Sequence, residues 1–194
     1  MRAAGSIAAT LVITALGACA APEPRWAPRP VAEATFDIAP LLPRRPVQEV
    51  QAAPSVEARG EIERFRFASG FAAVQLVHPG SKITEPSAQA LADRAAVEAW
   101  ARSLRMNRTL TEVVAADPVV HERVRGAGWL LGFATSDPGV RCTAGRAVYA
   151  MVGVGDDAGF AYDTALSALF CQPVGADGSD VAALFRRLPP PRGS

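Results

Sequence analysis

Cys142-Thr-Ala-Gly-Arg-Ala-Val-Tyr-Ala-Met151 and Ala161-Tyr-Asp-Thr-Ala-Leu-Ser-Ala-Leu-Phe-Cys171 are two apolar stretches set on either side of Gly155-Asp-Asp-Ala-Gly159. Glycine and aspartate between apolar runs are turn chemistry, so the pair reads as a β-hairpin. Cys142 and Cys171 lie equidistant from the Asp156–Asp157 midpoint. In a regular antiparallel hairpin such residues face each other. The same register sets Tyr149 opposite Thr164, Met151 opposite Tyr162, Ala147 opposite Leu166 and Thr143 opposite Phe170. That face is apolar, whereas Arg146, Asp163 and Ser167 fall on the other, the segregation a half-buried sheet requires. A non-hydrogen-bonded rung brings opposed side chains within disulfide reach. A Cys142–Cys171 bridge is therefore expected, worth about 3–4 kcal/mol through loop closure. The spacing is unlike the Cys-x-x-Cys of redox centres. Two alternatives stay open: a one-residue bulge that spoils the register, and a helix over 164–170.

Outward from the hairpin, Arg64-Phe-Arg-Phe67 alternates as a strand does, Gly70 breaks it, and Phe71–Val77 resumes. His78-Pro-Gly80 forces a turn. Thr84-Glu-Pro-Ser87 starts a helix, with Thr84 or Ser87 as cap and Pro86 in the first turn. The helix runs to about Arg105 and turns Val97, Trp100, Ala101 and Leu104 to the core. Leu110–Arg123 also reads as helical, divided at Asp117-Pro118. Gly128–Thr135 is a strand closed by the turn Ser136-Asp-Pro-Gly139, and Ser179-Asp180 caps a short helix over Val181–Arg187. No internal repeat is present. The expected fold is α+β: a small antiparallel sheet of about five strands with helices on one face.

The N-terminus carries an address. Arg2 is followed by the uncharged apolar run Ile7–Ala18, too short to span a bilayer but suited to a signal peptide. The run ends in Leu16-Gly-Ala-Cys19, which resembles the lipobox of bacterial lipoproteins: a branched apolar residue, two small residues and a cysteine. The resemblance covers only the first twenty or so residues. It implies cleavage before Cys19, a thioether to diacylglycerol on its sulfur and N-acylation. Two or three chains give a stable anchor where one is marginal. Ala20, rather than Asp, follows the cysteine, which by the same resemblance favours the periplasmic face of the outer membrane over the inner membrane. The oxidising periplasm in turn favours the Cys142–Cys171 bridge. Plain secretion and a retained anchor helix are the alternatives.

Residues 19–60 hold eight of the sixteen prolines and read as an extended tether, with a reach on the order of 100 Å if wholly polyproline-like. Within it, Phe36-Asp-Ile-Ala-Pro-Leu-Leu42 is apolar enough to dock on its own domain or on a partner, and Pro40-Leu-Leu-Pro43 fits a polyproline-ligand spacing. The expected organisation is thus 1–18 signal peptide, 19–60 lipidated tether, 61–188 globular domain and 189–194 disordered tail.

Lys+Arg is 20 and Asp+Glu is 19; removing Arg2 with the signal peptide leaves 19 of each. Nucleic-acid binders carry a basic excess, so no nucleic-acid partner is expected. Lys82 is the only lysine, a composition that fits a GC-rich genome. The two histidines, His78 and His121, stand in no metal-ligand spacing, and no Gly-x-Ser-x-Gly elbow occurs. His78 reads as an exposed loop residue, with Ser69 and Ser81 as possible neighbours, and His121 as a solvated helix residue. Gly153-Val-Gly155 lacks the full phosphate-loop pattern, and Asp156-Asp157 lacks the EF-hand pattern. Arg123, Arg125 and Arg146 could form an anion patch, though solvation explains them. Neither a cofactor nor a metal is expected. The leading expectation is a membrane-anchored, non-enzymatic binding or accessory lipoprotein with a possible envelope protein partner. The rivals are a periplasmic hydrolase using His78 or His121 and a purely structural lipoprotein.

Overall fold

The computed structural model describes residues 25–55, 60–77, 83, 85–151 and 162–193. Within them one antiparallel sheet of eight strands forms: β1 (Ala27–Arg29), β2 (Glu49–Pro54), β3 (Gly60–Phe67), β4 (Gly70–Val77), β5 (Leu110–Pro118), β6 (Gly126–Thr135), β7 (Val140–Tyr149) and β8 (Thr164–Pro173). Three short helices accompany it: α1 (Glu85–Ala92), α2 (Arg94–Ser103) and α3 (Ser179–Arg186). The strand order is β1-β2-β3-β4-β8-β7-β6-β5. Two four-strand meanders therefore meet where β4 pairs with β8, and the α1–α2 segment carries the chain from the middle of the sheet to its far edge.

This overturns the expected α+β domain of about five strands, and the reasons are local. β5 was expected as a helix. Two register irregularities interrupt its pairing with β6, between Leu110 and Val113 and between Val113 and Ala115. Its inward residues, Leu110, Val113 and Ala116, consequently recur every third position. A bulged edge strand thus imitates a helical period. Pro118 ends this strand on the outer edge, where its missing donor costs nothing. The long helix expected from Thr84 to Arg105 is two helices, broken at Asp93, whose side chain caps α2 by accepting from Ala96 N at 3.0 Å. Val97 and Ala101 are fully buried as expected, with Trp100 and Leu104 packed beside them.

The second correction concerns the tether. Over the described residues 25–55 it is part of the fold. β2 pairs with β3 in continuous register from Glu49↔Arg66 to Pro54↔Glu61, and β1 pairs with β2. Phe36, Ile38 and Leu42 are each 1% exposed and lie in the main core with Phe65, Phe170 and Phe185. Pro40 sits inside a 3-10 turn, Ala39–Leu41, so Pro40–Pro43 does not form a polyproline ligand. Prolines here stop helices and shape turns without preventing burial. The C-terminal tail is likewise held: Leu188 is 1% exposed, Arg192 N donates to Thr35 O at 2.8 Å, and the Arg192 side chain pairs with Asp37 at 3.2 Å.

Both faces of the sheet are covered, again unlike the expected single layer of helices. On one face the N-terminal strap (residues 30–48) and α3 bury Val50, Phe65, Ala72, Val74, Leu166, Ala168 and Phe170. α3 comes close because residue 145 is glycine: a Cβ there would lie 2.7 Å from the Phe185 ring. On the other face α1 and α2 pack over β6 and β7. Gly70 is required at the β3–β4 turn for a similar reason, since a Cβ would lie 1.9 Å from Leu169 O.

Truncating Phe36 separates a packed strap from a tether. Phe36→Ala should lose about 3–5 kcal/mol of stability in denaturant unfolding, the cost of a buried aromatic, whereas a solvated tether residue would shift the midpoint negligibly.

Candidate functional site

The hairpin register is the one read from the sequence. Cys142 pairs with Cys171, Thr143 with Phe170, Ala147 with Leu166 and Tyr149 with Thr164. The sulfurs of Cys142 and Cys171 are bonded, with the Cα atoms 4.0 Å apart, as a close-approach rung provides. The bridge lies on the α2 side of the sheet, and Cys142 is fully buried. Four residues along β7 on the same face, Arg146 donates to Ser167 Oγ at 3.3 Å and lies 5.4 Å from the Trp100 ring centre.

Among the rivals for catalysis, His121 is 8% exposed rather than solvated, and the backbone engages both its ring nitrogens. Nδ1 accepts from the amides of Arg123 and Val124, each at 3.1 Å. Nε2 then carries the proton and donates to Leu188 O at 3.1 Å. A ring so held fixes the β5–β6 connection to the end of α3 and has no nitrogen left for a substrate. Ser69 Oγ accepts from Arg45 at 2.8 Å. Arg125 lies over the Tyr162 ring, 5.6 Å from its centre. Cys19, His78, Ser81, Gly153, Gly155, Asp156 and Asp157 lie outside the described residues. No cluster of three or more His, Cys, Asp or Glu side chains with metal-binding geometry occurs among the described residues.

Two buried charges that sequence reading did not single out tie the strap to the sheet. Glu63 on β3 is 2% exposed and accepts from Arg29 Nη1, from Thr35 N at 2.7 Å and from Phe36 N at 3.2 Å. Arg45 is 9% exposed; it donates to Asp180 of α3 at 2.8 Å, to Ser69 and to Gln172, and lies 5.1 Å from the Phe170 ring centre.

A cleft of about 870 Å³ lies beside the β3–β4 turn, facing the α2–β5 loop. Arg64, Arg66, Arg105 and Arg108 line it, over an apolar wall that includes Phe71 and Leu104, and no Asp or Glu lines it. Arg66 pairs with Glu49 at 3.0 Å and Arg108 with Asp137 at 3.8 Å. Arg64 lies 4.2 Å from the Trp26 ring centre and donates to Gln51, while its Nε is buried without a hydrogen-bond partner. Burial, and then the adjacent Arg66 charge, lower the pKa of the Arg64 guanidinium. It remains a cation at any physiological pH. The cleft is a cationic surface with an apolar wall, and Ser69, whose hydroxyl accepts from Arg45, lies on its rim. Its one legible signal was the Arg64-x-Arg66 spacing, which puts both side chains on one face of a strand. Arg105 and Arg108 join them only through the fold.

Comparison with protein families, with characterised proteins and with solved structures gives no match for this chain.

The contribution of the bridge to stability is testable. Replacing both Cys142 and Cys171 by Ala should lower stability by about 3–4 kcal/mol, and the oxidised wild type should gain the same difference over its reduced form. An unchanged unfolding midpoint on reduction would mean that the bridge contributes nothing.

Proposed function

We propose that this chain is a lipid-anchored bacterial envelope lipoprotein whose folded domain is a non-enzymatic binding or accessory module on the periplasmic face of the outer membrane. The observation that carries the reading is the tetrapeptide Leu16-Gly-Ala-Cys19 at the end of the apolar run Ile7–Ala18. The Cys142–Cys171 disulfide supports it, because such bridges persist in oxidising compartments. No described helix is long and apolar enough to cross a membrane.

The state of His121, whose two nitrogens serve the backbone, weighs against a hydrolase built on that histidine; His78 lies outside the described residues. A general base needs a nitrogen within reach of the proton that it removes. The cationic cleft is the part of the domain best suited to recognition: it is open, of ligand size and lined by side chains that recognise oxyanions.

The test is fractionation of cells expressing the native chain or Cys19→Ala, with metabolic labelling by a fatty acid. The native protein should carry the label and sediment with the outer membrane, and the variant should lose both properties. An unlabelled native protein in the soluble periplasm would overturn the anchor.

A further inference from the structure

Six residues lie between Cys19 and Trp26. Fully extended, the seven steps reach about 25 Å, roughly a sixth of the span a forty-residue tether in the same conformation would have given. Trp26 leads into β1 at the outer edge of the sheet and stacks on Arg64 at 4.2 Å. Arg64 lines the cationic cleft together with Arg66, Arg105 and Arg108. A lipidated Cys19 would thus hold this face of the sheet close to the bilayer and leave the domain little freedom to turn away.

The chemistry of the face matches such a neighbour. Four guanidinium groups are opposed there by two carboxylates, Glu49 and Asp137. Arg66 is exposed and Arg64 half-buried, so both can reach outward. The mature chain carries equal numbers of acidic and basic residues, so this excess is a local concentration and not the overspill of a basic protein. Arginine forks bind phosphate, tryptophan settles at the headgroup level of membranes, and arginine stems lie along apolar surface while their heads stay polar. We propose that the face formed by Trp26, Arg64, Arg66, Arg105 and Arg108 is a docking surface for the phosphate headgroups of an anionic phospholipid bilayer. This inference rests on the lipoprotein reading and adds an orientation to it: the strap face and α3 would point into the periplasm, free for any partner.

Arginine footprinting tests it on the intact acylated protein. The protein is reconstituted into phosphatidylcholine vesicles, with or without phosphatidylglycerol, and modified with phenylglyoxal; labelling is read peptide by peptide by mass spectrometry. Each surface arginine near an anionic membrane contributes roughly a factor of five to the attraction. Arg64, Arg66, Arg105 and Arg108 should therefore label at least about fivefold more slowly in the anionic vesicles, while Arg44 and Arg141, exposed elsewhere, keep their rates. Equal labelling in both lipids would overturn the inference. So would equal protection on adding inorganic phosphate to the neutral vesicles, which would assign the cleft to a soluble anion. The mass of the N-terminal peptide reports acylation separately. An acylated protein without protection defeats this inference alone, and an unacylated one defeats the reading beneath it.

Discussion

A carboxylate buried on β3 governs how the N-terminal third of this chain is organised. Glu63 is almost wholly removed from water, and its oxygens are satisfied by the Arg29 guanidinium and by the amides of Thr35 and Phe36. A buried charge is tolerable only where partners replace the water it has lost. Two of the three partners come from the strap and the third, Arg29, from the end of β1 that leads into it, so the strap and the sheet are complete only together. Arg45 repeats the arrangement at the strap's other end, reaching the β3–β4 turn, β8 and α3 from one side chain. Between these two clamps Phe36, Ile38 and Leu42 fill the core that β3, β4 and β8 share with α3.

The other fixed point is the Cys142–Cys171 rung. A slip of one residue in a strand pair exchanges its two faces. Here it would turn Tyr149 and Leu166 away from α3 and bring Arg146 into its place. The covalent rung excludes that slip at one end of the hairpin, and Tyr149 pins the other by donating from its hydroxyl to Phe185 O at 2.8 Å. Among the described residues, β4 and β8 are the strands that join the two meanders, so the register of this hairpin passes to the whole sheet. A bridge in this position also fits the proposed address, because disulfides persist in oxidising compartments.

The legible and illegible parts of the fold divide along a physical line. The β7–β8 register could be read because strict alternation, a central turn and two cysteines agree, and the β3–β4 hairpin because Gly70 interrupts an alternating run. β5 could not, because its bulges convert an inward period of two into one of three. β2 was hidden by its flanking prolines, although Val50 and Ala52 alternate inward as any half-buried strand does. In the strap, docking on its own domain was legible for the apolar stretch Phe36–Leu42 as one of two readings, and the rest was hidden because proline weighs against helix and strand but not against burial in turns. Of the candidate site, the bridge was visible in the spacing of its cysteines. The role of His121 was not: its partners include the Leu188 carbonyl, 67 residues away in sequence. Nor could the cationic cleft be read beyond Arg64 and Arg66, since Arg105 and Arg108 arrive from across the α2–β5 loop.

Placing the strap inside the fold matters for the proposed anchor. A forty-residue tether on Cys19 would let the domain search the space beyond a membrane, whereas a domain that begins near Trp26 would be held close to it. That consequence depends on the strap being a permanent part of the sheet. Native-state hydrogen exchange measures this directly, because amides in a cooperative core open only with the whole domain. The amides of Thr35, Phe36 and the paired residues of β2 should exchange as slowly as those of β7; exchange at unfolded-chain rates there, with β7 still protected, would contradict the account and restore the tether.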